Sequence, residues 1–259
     1  MRPLIRVGLF PYLNVQPLVF GLRAHPGLET VVDLPSRIAE RFRAGELDAA
    51  MIPSFEAATM STPVLNAVCI ASDGPVESVV LHHRERLEDV RTLALDEASR
   101  TSAVLAKIVI ADASGLMPRS STIRVADAER VDADAVLLIG DPAFSFSRRG
   151  FNPLDLGGFW RQSQSLPFVF AVMAVGPRAI DSEIGAAVRD GLKLGLDNAS
   201  TIARSYNSGI DAGRAERYLK HVIRYQFGDR EKEGLALFYR LARARGLLAP
   251  TKELRFHAG

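Results

Sequence analysis

The segment IRVGL at residues 5–9 alternates between the two faces of an extended chain and predicts a β-strand. The segments TVVDL at residues 30–34 and DAAMI at residues 48–52 predict a second and a third strand. A short helix is predicted between the first two strands, and a helix from Pro35 to about Gly45 lies between the last two. This β-α-β-α-β order is typical of a mostly parallel sheet covered by helices.

The same order recurs in the middle of the chain. Strands are predicted at residues 93–95, 121–125 and 135–139. A helix with one apolar face is predicted at residues 99–111. Two similar α/β units in a chain of 259 residues indicate an α/β protein with two lobes. The apolar segments at residues 78–81 and 168–175 are predicted to be strands that cross between the lobes.

The final third of the chain has a different pattern. From Pro177 onward, apolar residues recur at helical spacing and predict a helical tail that packs in the core. We therefore expect one lobe of residues 1–83 plus 174–259, which includes the tail, and a second lobe of residues 84–173. Each lobe then has a normal domain size.

Composition excludes several classes of function. Hydrophobic residues make up 47% and charged residues 24%, as in an ordinary globular protein. The formal net charge of +2 is too small to indicate a nucleic-acid partner. A single cysteine, Cys69, excludes an internal disulfide framework and a cysteine-based zinc cluster. The five histidines show no metal-ligand spacing, so we expect no metal site.

The N-terminal segment, residues 1–22, lacks the long apolar core and cleavage site of a signal peptide. The longest apolar run, residues 168–175, is less than half of the roughly 20 residues that a membrane span requires. We therefore expect a cytoplasmic protein with no membrane partner. The sequence leaves the oligomeric state open.

Four polar segments follow predicted strands, and ligands of parallel α/β sheets gather at the carboxyl ends of strands. In the first segment, Asn14 offers a donor and an acceptor between the rigid Pro11 and Pro17. Its alternative role is to cap the following helix. In the second segment, Ser78 follows a Gly-Pro turn at the start of a strand. Its alternative role is a hydrogen bond to a nearby backbone group.

The third segment begins a strong helix. Ser99 is the expected N-cap, and Thr101 and Ser102 lie in the first turn, where free N–H groups and hydroxyls favour an anion. Arg100 adds a candidate bidentate carboxylate contact. Simple capping is the alternative, and it explains one hydroxyl rather than three. The fourth segment contains Gly140 and Asp141 at a strand end, and its alternative is an ordinary turn.

The order of these segments is more specific than any of them alone. It runs YLNVQPL, GELDAAMIPSFE, SDGPVESVVL, LALDEASRTS, LLIGDPAF, DLGGFW and LPFVFAVMAV. This order resembles the chorismate dehydratase family of the futalosine route to menaquinone, over nearly all of residues 4–175. The resemblance implies a fold like the type II periplasmic binding proteins, with the ligand in a cleft between two lobes. It also implies a cofactor-independent hydro-lyase that removes water from chorismate, a small anionic substrate, to give 3-[(1-carboxyvinyl)oxy]benzoate.

The resemblance also implies roles for particular residues. Asn14 and Ser78 match polar positions that the family holds near the reacting ring, and we assign them hydrogen bonding and orientation because neither is a base. The ring proton is removed by a substrate carboxylate or, as the protein-side alternative, by Asp141. The expected substrate-binding residues are Tyr12, Ser54, Ser99, Arg100, Thr101, Ser102 and Gly140. The chain departs from common family versions at Val15, Gln16 and Met173.

Two other functions compete with this interpretation. The later 1,4-dihydroxy-6-naphthoate synthase of the same pathway is similar in fold and is expected to use a histidine of the second lobe, but residues 89–178 contain none. A solute-binding protein for a small carboxylate shares the cleft but is normally exported or lipid-anchored. A transcriptional effector domain is disfavoured because no helix-turn-helix segment precedes it.

Overall fold

The computed structural model describes residues 4–84, 86–180, 182–250 and 254–257. The strands are β1 (Ile5–Leu9), β2 (Leu28–Val32), β3 (Ala49–Pro53), β4 (Val64–Ser72), β5 (Val79–His83), β6 (Thr92–Asp96), β7 (Arg119–Ile123), β8 (Ala135–Ile139), β9 (Asn152–Asp155), β10 (Phe168–Val175) and β11 (Phe256–His257). The α-helices are α1 (Gln16–Arg23), α2 (Pro35–Arg43), α3 (Ser54–Met60), α4 (Thr101–Ser114), α5 (Leu156–Gln164), α6 (Pro177–Ile180), α7 (Ile184–Asp197), α8 (Ala199–Ser205), α9 (Ala212–Arg217) and α10 (Asp229–Ala244). Short 3-10 helices occur at Leu13–Val15, Leu87–Asp89, Val125–Asp127 and Asp141–Phe144, and a π-helix at Tyr218–Val222.

The strands form two separate sheets. The first has the order β11-β4-β10-β3-β1-β2, in which β1 is parallel to β2 and β3 while β10 is antiparallel to β3 and β4. The second has the order β7-β6-β8-β5-β9, in which β6 is parallel to β7 and β8. The two α/β units predicted from the repeated strand-helix order are therefore present, each on its own sheet.

The strand pairing moves the lobe boundaries. We predicted a first lobe of residues 1–83 plus 174–259 and a second lobe of residues 84–173. However, β5 pairs with β8 and β9 of the second sheet, and β10 pairs with β3 and β4 of the first. The backbone hydrogen bonds thus place the two crossings before β5 and before β10. We propose that the lobes divide near residues 73–78 and 156–167.

The helical tail packs on the first sheet and on its helices. Helices α1 and α7 approach so closely that a Cβ atom at Gly21 would lie 1.9 Å from the Gly191 carbonyl oxygen. Glycine is therefore required at this crossing, because any side chain would collide with backbone. The contact fixes α1, and with it the loop between β1 and α1 that carries Asn14.

Some elements were not predicted. Strand β4 contains the exposed Asn66 within an otherwise buried segment, which obscures its apolar pattern. Helix α5 contains Gly157 and Gly158, which disfavour a helix. Its N-cap, Asp155, compensates because the carboxylate accepts a hydrogen bond from the Gly158 N–H at 2.8 Å.

Candidate active site

A cavity lies between the two lobes and encloses about 500 Å³ of space, part of which is open to solvent. The predicted site residues that line it are Tyr12, Asn14, Ser78, Arg100, Thr101, Ser102 and Gly140. Apolar side chains that include Phe10, Ile70 and Phe170 line the remainder. Seven of the residues singled out in separate segments of the sequence therefore meet at one cavity. Ser54, Ser99 and Asp141 are not among its lining residues.

Asn14 is not a helix cap. It lies in a short 3-10 helix, and the N-cap of α1 is Val15, where no side-chain hydrogen bond caps the helix. The backbone carbonyl of Asn14 accepts a hydrogen bond from the Tyr225 hydroxyl at 2.9 Å. Its side chain donates a hydrogen bond to the Tyr218 hydroxyl oxygen. Asn14 Oδ1 is buried and has no hydrogen-bond partner within the described residues.

Ser78 also lines the cavity, and hydrogen bonds to Asp155 hold the segment before it. The Asp155 carboxylate accepts hydrogen bonds from the backbone N–H groups of Val76 and Glu77, at 3.0 and 2.7 Å. The Ser78 side chain is buried, and its Oγ lies 2.7 Å from the Tyr218 hydroxyl. The predicted alternative, a bond from Ser78 Oγ to a nearby backbone group, is therefore not what the structure shows. Burial raises the pKa of Tyr218, so its hydroxyl is neutral.

Helix α4 begins later than predicted. Its N-cap is Arg100 rather than Ser99, and no side-chain hydrogen bond caps it. The expectation that Ser99 is the N-cap is therefore wrong, because the backbone first becomes helical at Thr101. Ser99 Oγ is buried and has no hydrogen-bond partner among the residues that the structure describes. The first turn of α4, with Thr101 and Ser102, faces the cavity.

Thr101 and Ser54 connect the two lobes. Thr101 Oγ1 accepts a hydrogen bond from the Phe55 backbone N–H at 3.1 Å and lies 3.4 Å from Ser54 Oγ. Ser54 Oγ in turn donates to the Val169 carbonyl oxygen at 2.8 Å. Both hydroxyls therefore form hydrogen bonds with protein groups. We propose that Ser54 has a structural role, in which it holds α3 against α4.

Arg100 also joins the lobes. Its guanidinium group lies 3.5 Å from Glu56 and 3.8 Å from Glu40, both in the first lobe. It also donates to the backbone carbonyl oxygens of Glu97 and Ser99. These contacts engage the guanidinium nitrogens in interlobe ion pairs, and the bidentate contact of Arg100 to a substrate carboxylate stays a prediction. Arg100 contributes positive charge at the cavity wall.

Asp141 lies outside the cavity lining and holds the loop that carries Asn14. Its Oδ1 accepts the Leu13 backbone N–H at 3.0 Å, and its Oδ2 accepts the Tyr206 hydroxyl at 2.5 Å. The Tyr206 hydroxyl also contacts the Pro11 carbonyl oxygen. Burial raises the pKa of Asp141, against the opposing effects of the bonds from Tyr206 and Leu13. We therefore favour a connecting role over the predicted role of a base.

Gly140 permits the close approach of Tyr12. Its φ of +68° lies in the left-handed region, and a Cβ atom there would lie 2.6 Å from the Tyr12 ring. Burial and the nearby Asp96 and Asp141 raise the pKa of Tyr12. The Tyr12 hydroxyl is therefore a neutral donor and acceptor at the cavity wall.

Sequence analysis did not identify four polar residues around the site. Tyr206, Tyr218 and Tyr225 come from the tail, whose periodicity indicated only core packing. Asp96 is buried at the end of β6, where burial raises its pKa and its Oδ1 accepts the Ala98 N–H at 2.9 Å. Of these four residues, only Asp96 could have been identified from the sequence, because it lies at the end of a predicted strand.

The adjacent histidines His82 and His83 lie at the end of β5. Burial lowers the pKa of His82 to about 4, and its ring packs against Phe146. Within the described ranges, no group of three or more His, Cys, Asp or Glu side chains could hold a metal ion. Among the helices described, none is long and apolar enough to cross a membrane.

Two solved structures share this fold. A protein of Archaeoglobus fulgidus superposes with a TM-score of 0.78 at 19% identity, over 94% of this chain and 98% of that one. A Candida albicans protein with the generic periplasmic binding protein fold superposes with a TM-score of 0.57 at 13% identity, over 98% of both chains. The fold and its cleft therefore define an α/β protein of the periplasmic-binding-protein type.

Sequence relatives define the family. The family profile described as menaquinone biosynthesis matches residues 5–244. A chorismate dehydratase of Thermus thermophilus is 31% identical over 263 aligned residues, which cover 92% of this chain and 94% of that protein. The chain belongs to the chorismate dehydratase family of menaquinone biosynthesis.

The contacts of the α4 first turn predict different effects for two neighbouring hydroxyls. Thr101→Val removes the acceptor of the buried Phe55 N–H, so we expect it to lower the free energy of unfolding by about 1–3 kcal/mol. Ser102→Ala is the matched variant from the same turn and should change stability less, because Ser102 faces the cavity. Urea denaturation of both variants measures this difference. An unchanged midpoint for Thr101→Val would contradict the interlobe role.

The raised pKa of Asp141 predicts a pH-dependent contribution to stability. The folded protein binds this proton more tightly than the unfolded chain, whose Asp pKa is about 3.9. The free energy of unfolding therefore falls as pH rises from that value towards the raised pKa. Asp141→Asn cannot ionise and keeps an acceptor for Leu13. The difference in melting temperature between this variant and the wild type should therefore shift in favour of the variant as pH rises from 4 to 7. A difference that stays constant with pH would refute this.

Proposed function

We propose that this protein is a chorismate dehydratase, a hydro-lyase that eliminates water from chorismate to give 3-[(1-carboxyvinyl)oxy]benzoate. The observation that carries the proposal is the cavity itself, where Asn14, Ser78 and the first turn of α4 meet. Membership of the chorismate dehydratase family supports it. The proposal includes a cytoplasmic role in menaquinone biosynthesis.

Chorismate carries two carboxylates, and the cavity offers donors for them. The first backbone N–H groups of α4 have no partner within the helix, and the helix dipole places positive potential at this end. The Ser102 hydroxyl and the charge of Arg100 lie at the same wall. We infer that one substrate carboxylate binds at the first turn of α4, where it interacts with neutral donors and with a positive end of a helix.

The reacting ring lies against Asn14 and Ser78 in this proposal. Elimination removes a ring proton and a hydroxyl group, and the ring becomes aromatic. The Asn14 amide has two N–H groups, of which one donates to Tyr218, so the second N–H and Oδ1 remain for the substrate. A preorganised amide donor stabilises negative charge that develops as the proton leaves.

A substrate carboxylate is the base in the proposed mechanism. Asp141, the protein-side alternative, does not line the cavity, and both of its oxygens accept hydrogen bonds from the protein. The elimination is neutral in oxidation state, because a proton and a hydroxide leave together. The proposed reaction therefore requires no redox cofactor, and we propose that none is used.

The direct test is incubation of the purified protein with chorismate. We expect an aromatic product with the mass of chorismate less one water, separated by liquid chromatography and identified by mass spectrometry. Turnover should survive dialysis against a chelator if the enzyme is metal-independent. Tight binding of chorismate without turnover would instead indicate a solute-binding protein. Turnover only of the cyclic precursor of 1,4-dihydroxy-6-naphthoate would indicate the later enzyme of the pathway.

The position of Asn14 predicts a large kinetic effect with little loss of stability. Asn14→Leu is similar in size but removes the amide, so kcat should fall by roughly a hundredfold or more, as when an oxyanion donor is removed. Asn198→Leu is the control, because among the residues that the structure describes the Asn198 amide bonds only to the Leu194 carbonyl at an exposed helix end. Steady-state kinetics and thermal melts of both variants provide the measurement. Normal turnover in Asn14→Leu would exclude Asn14 from the chemistry.

A further inference from the structure

The Tyr218 hydroxyl lies between the two polar residues that we place at the reacting ring. Its ring is buried at 1% exposure and packs edge to face against Phe144, with the ring centroids 5.0 Å apart. Its hydroxyl is 2.7 Å from Ser78 Oγ and accepts a hydrogen bond from the Asn14 side chain. One buried phenol therefore contacts both residues, which lie 64 positions apart in the sequence.

The chemistry of the three groups limits the directions of their hydrogen bonds. An amide N–H can only donate, so the Tyr218 oxygen accepts from Asn14. Between the Tyr218 and Ser78 hydroxyls, either one can donate. With Tyr218 as the donor, Ser78 Oγ accepts and its own hydrogen is left for a group in the cavity. Burial raises the pKa of Tyr218, which keeps the hydroxyl hydrogen on the phenol.

The backbone around Tyr218 and Ser78 is fixed by ion pairs. Glu77, the residue before Ser78, has a φ of +65°, which is uncommon for a residue with a side chain. Its carboxylate pairs with Arg214 at 2.9 Å and with Arg217 at 2.6 Å. Both arginines belong to α9, which leads directly into the π-helix that begins at Tyr218. Ser78 directly follows Glu77, and Tyr218 directly follows Arg217. The ion pair between Glu77 and Arg217 therefore lies beside the hydrogen bond between Ser78 and Tyr218.

We propose that Tyr218 is a positioning residue, which orients the Asn14 amide and turns the Ser78 hydrogen towards the substrate. The inference rests on the proposed function, since it assigns Tyr218 a role in the same reaction. Tyr218 touches Asn14 and Ser78 rather than the cavity, so it acts through them. The π-helix supplies the local geometry, as such turns frequently do at functional sites.

Tyr218→Phe tests the role of the hydroxyl while it preserves the ring. We expect kcat to fall about 10- to 100-fold, in the range observed when a supporting hydrogen-bond partner is lost, with KM changed less than about threefold. Tyr239→Phe is the matched control, because Tyr239 is also buried and its hydroxyl donates to a backbone carbonyl, that of Ser54. It should lose similar stability while kcat stays within about threefold. A wild-type kcat in Tyr218→Phe would overturn the proposal.

The Ser78→Ala background tests whether Tyr218 acts through Ser78. We compare the fold-loss of kcat that Tyr218→Phe causes in this background with the fold-loss that it causes in the wild type. The first should be at least about threefold smaller than the second, because the effects of coupled residues are not additive. An equal effect in both backgrounds would overturn the proposal. If Tyr218→Phe does not fold, Glu77→Gln weakens the same arrangement from the surface and should lower kcat about threefold or more at constant KM. A folded Glu77→Gln with wild-type kcat would then count against it.

The wild-type control separates the two levels of inference. If the wild type does not convert chorismate, the proposed function fails and the role of Tyr218 falls with it. If the wild type converts chorismate and Tyr218→Phe does so equally well, the function stands and only the positioning role is wrong. The measurements use the full chain and chorismate itself throughout.

Discussion

The carboxylate of Asp141 is the contact on which the geometry of the cavity depends. It lies in the second lobe, yet it accepts the Leu13 N–H from the first lobe and the Tyr206 hydroxyl from the tail. These bonds fix the loop between β1 and α1, so that Tyr12 packs on Gly140 and Asn14 lines the cavity together with Ser78. The orientation of three segments that are far apart in the sequence thus depends on one half-buried acid.

Charge at the site is arranged to suit an anion. Burial raises the pKa of both Asp96 and Asp141, which lie close to the cavity. Glu40 and Glu56 pair with Arg100. The Ser102 hydroxyl and the start of α4 remain as donors at the cavity wall. We propose that a substrate carboxylate binds to them.

Local patterns predicted much of the fold and part of the site. Strands β8 and β10 have the predicted bounds, because continuous apolar runs flanked by proline, glycine or aspartate define their ends sharply. Seven of the predicted site residues line one cavity because each follows a strand that ends at the same cleft. The start of α4 and the sheets to which β5 and β10 belong differ from the prediction, because they depend on backbone angles at Arg100 and on which strands pair. Neither property is encoded in the spacing of apolar residues.

The tail explains why sequence patterns could not complete the site. Its periodicity indicated core packing, and Tyr218 and Tyr225 are indeed buried. Their hydroxyls nevertheless reach Ser78 and the backbone of Asn14, while that of Tyr206 reaches Asp141. A buried tyrosine needs a hydrogen-bond partner, and here each partner belongs to a segment that forms the cavity. The contacts that pack the tail therefore also orient the residues that line the cavity. The helices after Pro177 thus contribute to the site in the same way as the loops do.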